Sequence, residues 1–315
     1  MRIGLALGAG GVVGASWMIG ALDALEQRAG FRAADAELVL GTSVGSLIGA
    51  MVAAEVPTAA MAAYASGETV GALSDLDGHD ATALRLARFA LPIGPGSLRM
   101  MLAGRSRSTF LTGLVPRGVL ATDAIRRLVE LAVGTQWPQR GVLSIVACDY
   151  ASGARVQFGR GREPAATPGE AVAASCAIPG FYEPVRIAGR RYVDGGVHSH
   201  SNLDLLAGCE LDTVIALNPM SSGAWVGGGG LRERIAGARR RRSATVLAGE
   251  VRALRAAGTN VLVLEPAFAD LAAMGPNMMA RNRPEQAIAA GRASTERALR
   301  RLGKKRLRKA GLAAG

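Results

Sequence analysis

Hydrophobic and polar positions divide the chain into short aliphatic runs and longer stretches in which apolar residues return every three or four positions. The runs at 2–7, 38–40, 143–150, 213–217 and 260–264 have strand length and few polar interruptions, as expected of strands buried on both faces. Helical spacing fills the intervals at 15–28, 47–54, 123–133, 231–257 and 284–302, with shorter helices at 57–66, 168–175 and 202–207. Pro57 suits a first helical turn because its φ is fixed. Residues 154–158 read as the hairpin partner of 143–150, and 185–187 and 191–193 flank a turn at Gly189. Strands alternating with helices predict an α/β sheet with helices on both faces.

Two stretches fit this alternation less well. Residues 67–122 carry Pro92, Pro95 and Pro116, with Leu, Met and Phe scattered between arginines. Within them, 91–114 reads either as a surface insertion or lid, or as helices packed on the core. Residues 3–22 contain no charge, which invites a signal peptide or a membrane span. Gly4, Gly8, Gly10, Gly11, Gly14 and Gly20 count against both, since glycine is a poor helix former. Strand, glycine loop and helix explain the stretch better, and no other is long and apolar enough to span. The expectation is a cytoplasmic protein in peripheral contact with a membrane.

Composition narrows the picture. A chain of 315 residues with 49% hydrophobic and 20% charged side chains builds one large domain or two modest ones, not a disordered segment. Aromatics are only 4%, so the core is small and aliphatic. Cys148, Cys176 and Cys209 are odd in number and widely spaced in apolar surroundings. They read as buried thiols in a reducing compartment, not as a disulfide framework or a metal site. The net charge of +12 gathers in Arg239-Arg240-Arg241-Arg242 and in 297–309, which includes Lys304 and Lys305. Such runs are commonly solvated helix faces. An anionic membrane surface is the next reading, and nucleic acid comes third, because no aromatic residues interleave with the basic ones.

The candidate chemistry starts at Gly41-Thr42-Ser43-Val44-Gly45, which joins an apolar run to a helix. This is the strand, turn and helix of a nucleophile elbow, with Ser43 at its tip. Glycines on either side let strand and helix pass closely, and the serine sits where free N–H groups at a helix start favour negative charge. Ser43 as an ordinary helix N-cap is the plainer alternative. Upstream, Gly8-Ala9-Gly10-Gly11-Val12-Val13-Gly14 also links strand to helix. As a dinucleotide fingerprint it lacks the acidic residue that should end the second strand. As an oxyanion hole it offers consecutive backbone N–H groups.

A serine nucleophile needs a base. His79 falls in a polar Asp-Gly-His-Asp turn, and His198 and His200 lie in a loop shortly after Asp194. Catalytic triads usually draw acid and histidine from separate loops. Asp194 has the sharper context: it ends an apolar run and precedes Gly195-Gly196, where burial raises a carboxyl pKa. An aspartate that simply caps that turn is the alternative.

Four motifs in this order resemble the patatin-like phospholipase family: Gly8 to Gly14, Gly41 to Gly45, Ala174-Ser175-Cys176-Ala177-Ile178-Pro179-Gly180-Phe181, and Asp194-Gly195-Gly196. They cover residues 2–206. The resemblance implies a three-layer α/β/α fold with a mainly parallel sheet, and hydrolysis of lipid acyl esters without cofactor or metal. It implies a dyad of Ser43 as nucleophile and Asp194 as base and then acid. It puts the oxyanion hole at Gly10, Gly11 and Val12, and Pro179 and Gly180 beside the dyad. Gly8, Gly14, Gly41, Gly45, Gly195 and Gly196 support these turns. The loop departs from the family's Gly-Gly-Gly-x-Arg-Gly, with Ala9 for a glycine and Val13 at the arginine position.

The expected organisation is a hydrolase domain over 1–275 and a basic C-terminal helix and tail over 276–315. Expected partners are a lipid acyl ester and an anionic membrane met by Arg239, Arg240, Arg241, Arg242, Lys304 and Lys305, with no nucleic acid. Val13 and the basic tail motivate a rival, a catalytically silent lipid-binding or regulatory protein on the same fold. A Rossmann-type dinucleotide enzyme is the other rival.

Overall fold

The computed structural model describes residues 1–68, 95–103, 107–139, 141–161, 164–223 and 230–313. His79 and Pro92, and parts of the 91–114 segment, lie outside the described residues. The first half of the chain forms β1 (Ile3–Leu7), α1 (Gly11–Ala29), β2 (Leu38–Thr42), α2 (Val44–Ala53), α3 (Thr58–Ala65), α4 (Leu98–Leu102), α5 (Arg107–Leu114), α6 (Asp123–Val133) and β3 (Val142–Asp149). Then follow β4 (Arg155–Phe158), α7 (Pro168–Ser175), β5 (Val185–Ile187), β6 (Arg190–Asp194), β7 (Thr213–Leu217), α8 (Leu231–Ala256), β8 (Asn260–Leu264), α9 (Phe268–Met274) and α10 (Pro284–Lys309).

Strands β8, β7, β1, β2 and β3 lie side by side and parallel, while β4, β5 and β6 pair antiparallel. Side chains alternate between two cores, as the period of a strand requires. Leu5, Leu7, Val39 and Ile145 face a layer built from α1, α2, α6, α7 and α10. Ala6, Leu38, Leu40 and Val214 face α8 and the short turn Leu203–Leu206. The sheet is thus covered on both faces, the three-layer α/β/α arrangement that the resemblance implies. No helix among the described residues is long and apolar enough to cross a membrane.

Some elements differ from the sequence reading. The glycine loop is short, because α1 begins at Gly11 rather than at residue 15. The helix expected at 202–207 is a single 3-10 turn, Leu203–Leu206. The last helix continues past 302 to Lys309 through a break at Gly303, where φ is 70°.

The segment set apart in the sequence as a basic helix and tail packs along α1. A Cβ on Gly20 would lie 1.9 Å from the Ile288 carbonyl oxygen, and one on Gly291 would lie 2.1 Å from that of Trp17. The two helices touch backbone to backbone, and only glycine permits that.

Strand register brings the two ends of the site together. β2 pairs with β3 over Leu38–Thr42, ending at Thr42 opposite Val146. β6 takes the next place on β3, with Asp194 opposite Ala147. β4 also pairs with both Val146 and Ala147, so it occupies the other side of β3. β2 and β6 therefore share one side of β3 and meet head to head, Thr42 against Asp194.

Beyond Thr42 the chain turns into α2 across the end of β1. A Cβ at Gly45 would stand 2.1 Å from the Leu7 carbonyl oxygen, and one at Gly41 would stand 2.4 Å from the Ser46 Cα. Gly45→Ala is expected to cost about 3 kcal/mol through overpacking against rigid backbone, a loss that urea unfolding reads directly.

Candidate active site

Ser43 holds the tip of the elbow at φ 55° and ψ −130°, a conformation that costs a non-glycine residue energy and persists only where neighbours enforce it. The neighbours are hydrogen bonds. The Ser43 amide donates to Ser175 Oγ at 2.8 Å, and Ser175 Oγ donates to the Val146 carbonyl at 2.6 Å. The Ser43 carbonyl accepts from the Ser46 amide at 2.8 Å and from Ser46 Oγ at 2.6 Å.

Ser175 is positioned by α7, whose start is fixed by Pro168 and a capping box between Thr167 and Glu170. Ser175→Ala would leave the buried Ser43 amide unpaired. The expected cost is about 1–3 kcal/mol of stability and a lower kcat, checked by unfolding and turnover on one sample.

Asp194 is buried at the end of β6. Its Oδ2 accepts from Ser43 Oγ at 2.6 Å, within the short range of bonds to a charged acceptor. Its Oδ1 accepts from the Gly196 amide at 2.7 Å. Burial pushes its pKa up to about 6, against the lowering effect of the hydrogen bonds from Ser43 and Gly196. The carboxylate is therefore basic enough to hold a proton, yet mostly charged at neutral pH. Glycines on either side of the turn keep this geometry open: a Cβ on Gly195 would lie 2.4 Å from the Val146 carbonyl, and one on Gly196 would lie 2.9 Å from Asp194 Oδ1.

Neither described histidine hydrogen-bonds Ser43. The His200 ring meets Ser243 Oγ through Nδ1 at 3.1 Å, and burial followed by Arg239, Arg240 and Arg242 holds its pKa down to about 4. His198 is exposed, and partial desolvation lowers its pKa. Cys148 and Cys176 are buried free thiols, whose pKa values burial raises, and Cys209 is partly exposed. From the motif at 174–181, the Ala177 carbonyl takes the Asp194 amide at 3.0 Å, and Ile178 lines the cavity at the serine. Pro179 and Gly180 lie outside that lining.

The glycine loop is tied down at its ends. Gly8 donates to the Leu217 carbonyl at 2.9 Å, Ala9 to that of His200 at 2.8 Å, and Val13 to that of Met278 at 3.1 Å. The amides of Gly10, Gly11 and Val12 have no partner among the described residues, as the first turn of a helix leaves them. Pro219 packs where Gly10 and Gly14 would carry a Cβ, and Met278 does the same at Gly11, whose φ is 60°. Val13, at the family's arginine position, is 3% exposed and belongs to the main core.

The basic cluster on α8 needs one correction. Arg240 is not part of an exposed cationic face. It is 6% exposed, and its guanidinium donates to the Pro219 carbonyl at 2.6 Å and contacts Met278 Sδ at 3.2 Å, the two residues that back the glycine loop. Burial lowers its pKa to about 10. Helical spacing explains the difference, since one of four consecutive helix positions turns inward. Arg239, Arg241, Arg242, Lys304 and Lys305 are exposed.

A polar network behind the Ser43–Asp194 pair had no signature in the sequence. Asn202, at φ 49°, donates from Nδ2 to the Ser199 carbonyl at 2.6 Å and to Thr42 Oγ1 at 3.1 Å. Glu250 of α8 accepts at Oε2 from Ser201 Oγ at 2.5 Å and from the Leu203 amide at 2.9 Å. Together they fix the loop that follows Gly196. Glu250 sits among exposed charges in the sequence, and only the packing of α8 on 203–206 turns it inward.

Ser43, Gly11 and Val12 share a cavity of about 450 Å³. Its wall is mainly apolar, with Ile19, Leu47, Met51, Met61 and Leu128, and it also reaches Arg283 at the start of α10.

A three-layer α/β/α fold with a serine elbow bonded to a buried aspartate at the end of a neighbouring strand defines the structural class. Within it, the chain matches the patatin-like phospholipase family over residues 5–207. It belongs to that family. Uncharacterised NTE family proteins of Mycobacterium bovis and Mycobacterium tuberculosis are 30% identical over 217 residues, which are 69% of this chain and 49% of theirs. The chain thus spans about half the length of these curated relatives. Among solved structures, VipD from Legionella pneumophila aligns with a TM-score of 0.41 at 14% identity, covering 95% of this chain and 67% of that one. The type III effector ExoU aligns at 0.38 and 15%, covering 95% and 53%.

Proposed function

We propose that the protein is a serine acyl hydrolase that cleaves acyl esters of membrane lipids through Ser43 and Asp194. The observation that carries this reading is the 2.6 Å hydrogen bond from Ser43 Oγ to a buried carboxylate beside an apolar cavity. In the first step Ser43 Oγ attacks the ester carbonyl while its proton passes to Asp194 Oδ2. The tetrahedral oxyanion takes hydrogen bonds from the amides of Gly10, Gly11 and Val12, and each such donor is worth about 10²–10³ in rate. Collapse expels the alcohol, which receives the proton from Asp194 and leaves an acyl-serine. Water then attacks that ester as Asp194 takes its proton, and collapse releases the fatty acid while Asp194 returns that proton to Ser43 Oγ. No step needs a metal or a cofactor.

The free amides of the loop and the raised pKa of Asp194 support these roles. The apolar cavity supports an acyl chain as the bound portion of the substrate. Arg239, Arg241, Arg242, Lys304 and Lys305 supply a long-range attraction to anionic lipid, which added salt weakens.

The test is release of fatty acid from phospholipid vesicles by the purified protein. Measurable release that tracks enzyme concentration is expected. Binding to vesicles with no release, in a folded sample, would favour the silent lipid-binding alternative.

A further inference from the structure

We infer that the helical hairpin of α4 and α5 is the face by which the protein seats itself in a lipid bilayer containing anionic phospholipid. The hairpin has two sides. Met100 is fully buried against Cys148, Tyr150 and Val193, and Thr109 is buried as well. Ser97 Oγ accepts from the Met100 amide at 3.2 Å and donates to the Tyr150 carbonyl at 2.8 Å. Gly113 lets the two helices close, since a Cβ there would lie 2.5 Å from Met101 Cγ. The inner side also packs α5 against Gly195–Val197, the turn that follows Asp194.

The outer side is apolar and open. Leu102 is 86% exposed, Leu98 60% and Leu111 54%, with Phe110, Leu114 and Val115 beside them in the chain. An isolated exposed leucine means little, but a contiguous apolar face on a soluble protein marks an interaction surface. Charge selects the partner. Residues 95–122 hold Arg99, Arg105, Arg107 and Arg117 and no carboxylate. Apolar side chains in a stretch whose only charges are positive, with Arg99 exposed beside Leu98 and Arg117 facing Glu183 at 3.9 Å, suit an amphipathic element lying in the plane of an anionic leaflet.

Position favours the same partner. Val115 packs against Gly180, and the neighbouring Ile178 and Tyr182 line the cavity that holds Ser43. A bilayer met by the hairpin therefore lies next to the segment that walls the site. The exposed cations of α8 lie on another element, a helix packed on the turn Leu203–Leu206 and on β8. They act at a distance, and the hairpin makes the contact.

The choice of a lipid partner rests on the proposed acyl-hydrolase reading, but the test reads binding and needs no turnover. The 315-residue Ser43→Ala protein is sedimented with sucrose-loaded vesicles of phosphatidylcholine and phosphatidylglycerol. Leu102→Glu with Leu111→Glu is expected to weaken partition by at least about tenfold, since each leucine would place most of its side chain in the interface. The milder pair Leu102→Ser and Leu111→Ser, with unchanged circular dichroism, is expected to move it in the same direction. Charge reversal at Arg239, Arg241 and Arg242 should weaken binding at low salt only. In a Leu102→Trp variant, the fluorescence of the introduced indole should be quenched by brominated lipid.

Unchanged partition in both leucine pairs, or no quenching in the Leu102→Trp variant, would overturn the inference. So would an absence of vesicle binding by the parent chain, or a dimer broken by the same substitutions without vesicle binding. Failure of the hydrolase reading looks different: binding that depends on the hairpin, with no ester turnover by protein that retains Ser43.

Discussion

Ser43→Ala is expected to lower kcat/KM for a soluble p-nitrophenyl acyl ester by about 10⁴-fold or more, the scale of loss when a catalytic nucleophile is removed. The residue sits where strand, turn and helix converge, and its hydroxyl makes the only side-chain hydrogen bond to Asp194 among the described residues. The substitution leaves the backbone bonds of the elbow in place, because Ser175 and Ser46 bind the Ser43 main chain and not its hydroxyl. The variant should therefore remain folded, with a melting temperature close to that of the parent. Steady-state kinetics and a thermal scan on the same sample check both halves. A residual rate within tenfold of the parent would mean that another group carries the chemistry.

Asp194→Asn is the second large effect. A general base typically contributes about 10²–10⁴ in rate, so kcat should fall by about 10³-fold. The parent's activity should rise with pH through about 6, where Asp194 loses its proton, and this ascending limb should vanish in the asparagine variant. Stability should move the other way. A carboxyl whose pKa is raised on folding from 3.8 to about 6 favours the folded state while it is protonated. That contribution is fully present below the unfolded pKa and is lost as pH rises through about 6. Holding the charged form buried at pH 8 thus costs about 3 kcal/mol, which the neutral amide avoids. Chemical unfolding should find Asp194→Asn at least as stable as the parent at pH 8, with the advantage fading toward pH 4. A base that is lost together with stability at pH 8 would contradict the burial argument.

Much of the fold is legible from strand-length apolar runs. The strands at 213–217 and 260–264 and the helices at 123–133 and 168–175 fall where periodicity places them, because a central parallel sheet needs unbroken apolar sequence. The nearness of Ser43 to Asp194 is not readable from either motif alone. It follows from β2 and β6 sharing one side of β3, and pairing between distant segments leaves no local signal. The contact between Gly20 and Gly291 is hidden for a similar reason: each falls inside a helix that periodicity places, and only packing shows that these glycines let α1 and α10 meet.

Residues that support the site were hidden by their ordinary appearance. Ser175 lies within a motif whose Pro179 and Gly180 drew attention, while its own hydroxyl holds the elbow. Glu250 and Arg240 look like members of a solvated charged helix, and burial shows only once α8 is packed. Val13 is the reverse case. Its departure from the family's arginine stood out in the sequence, and in the fold it is a core side chain whose amide is held by Met278. The described loop does not depend on a side chain at that position for its hydrogen bonds.

The central claim is that Ser43 is activated by Asp194. It is tested most directly by labelling the 315-residue protein with a fluorophosphonate probe and mapping the adduct by peptide mass analysis. The account predicts one adduct, on Ser43, formed rapidly by the parent, at least about a hundredfold more slowly by Asp194→Asn, and not at all by Ser43→Ala. An adduct on a different serine, or equal labelling rates for the parent and Asp194→Asn, would contradict it.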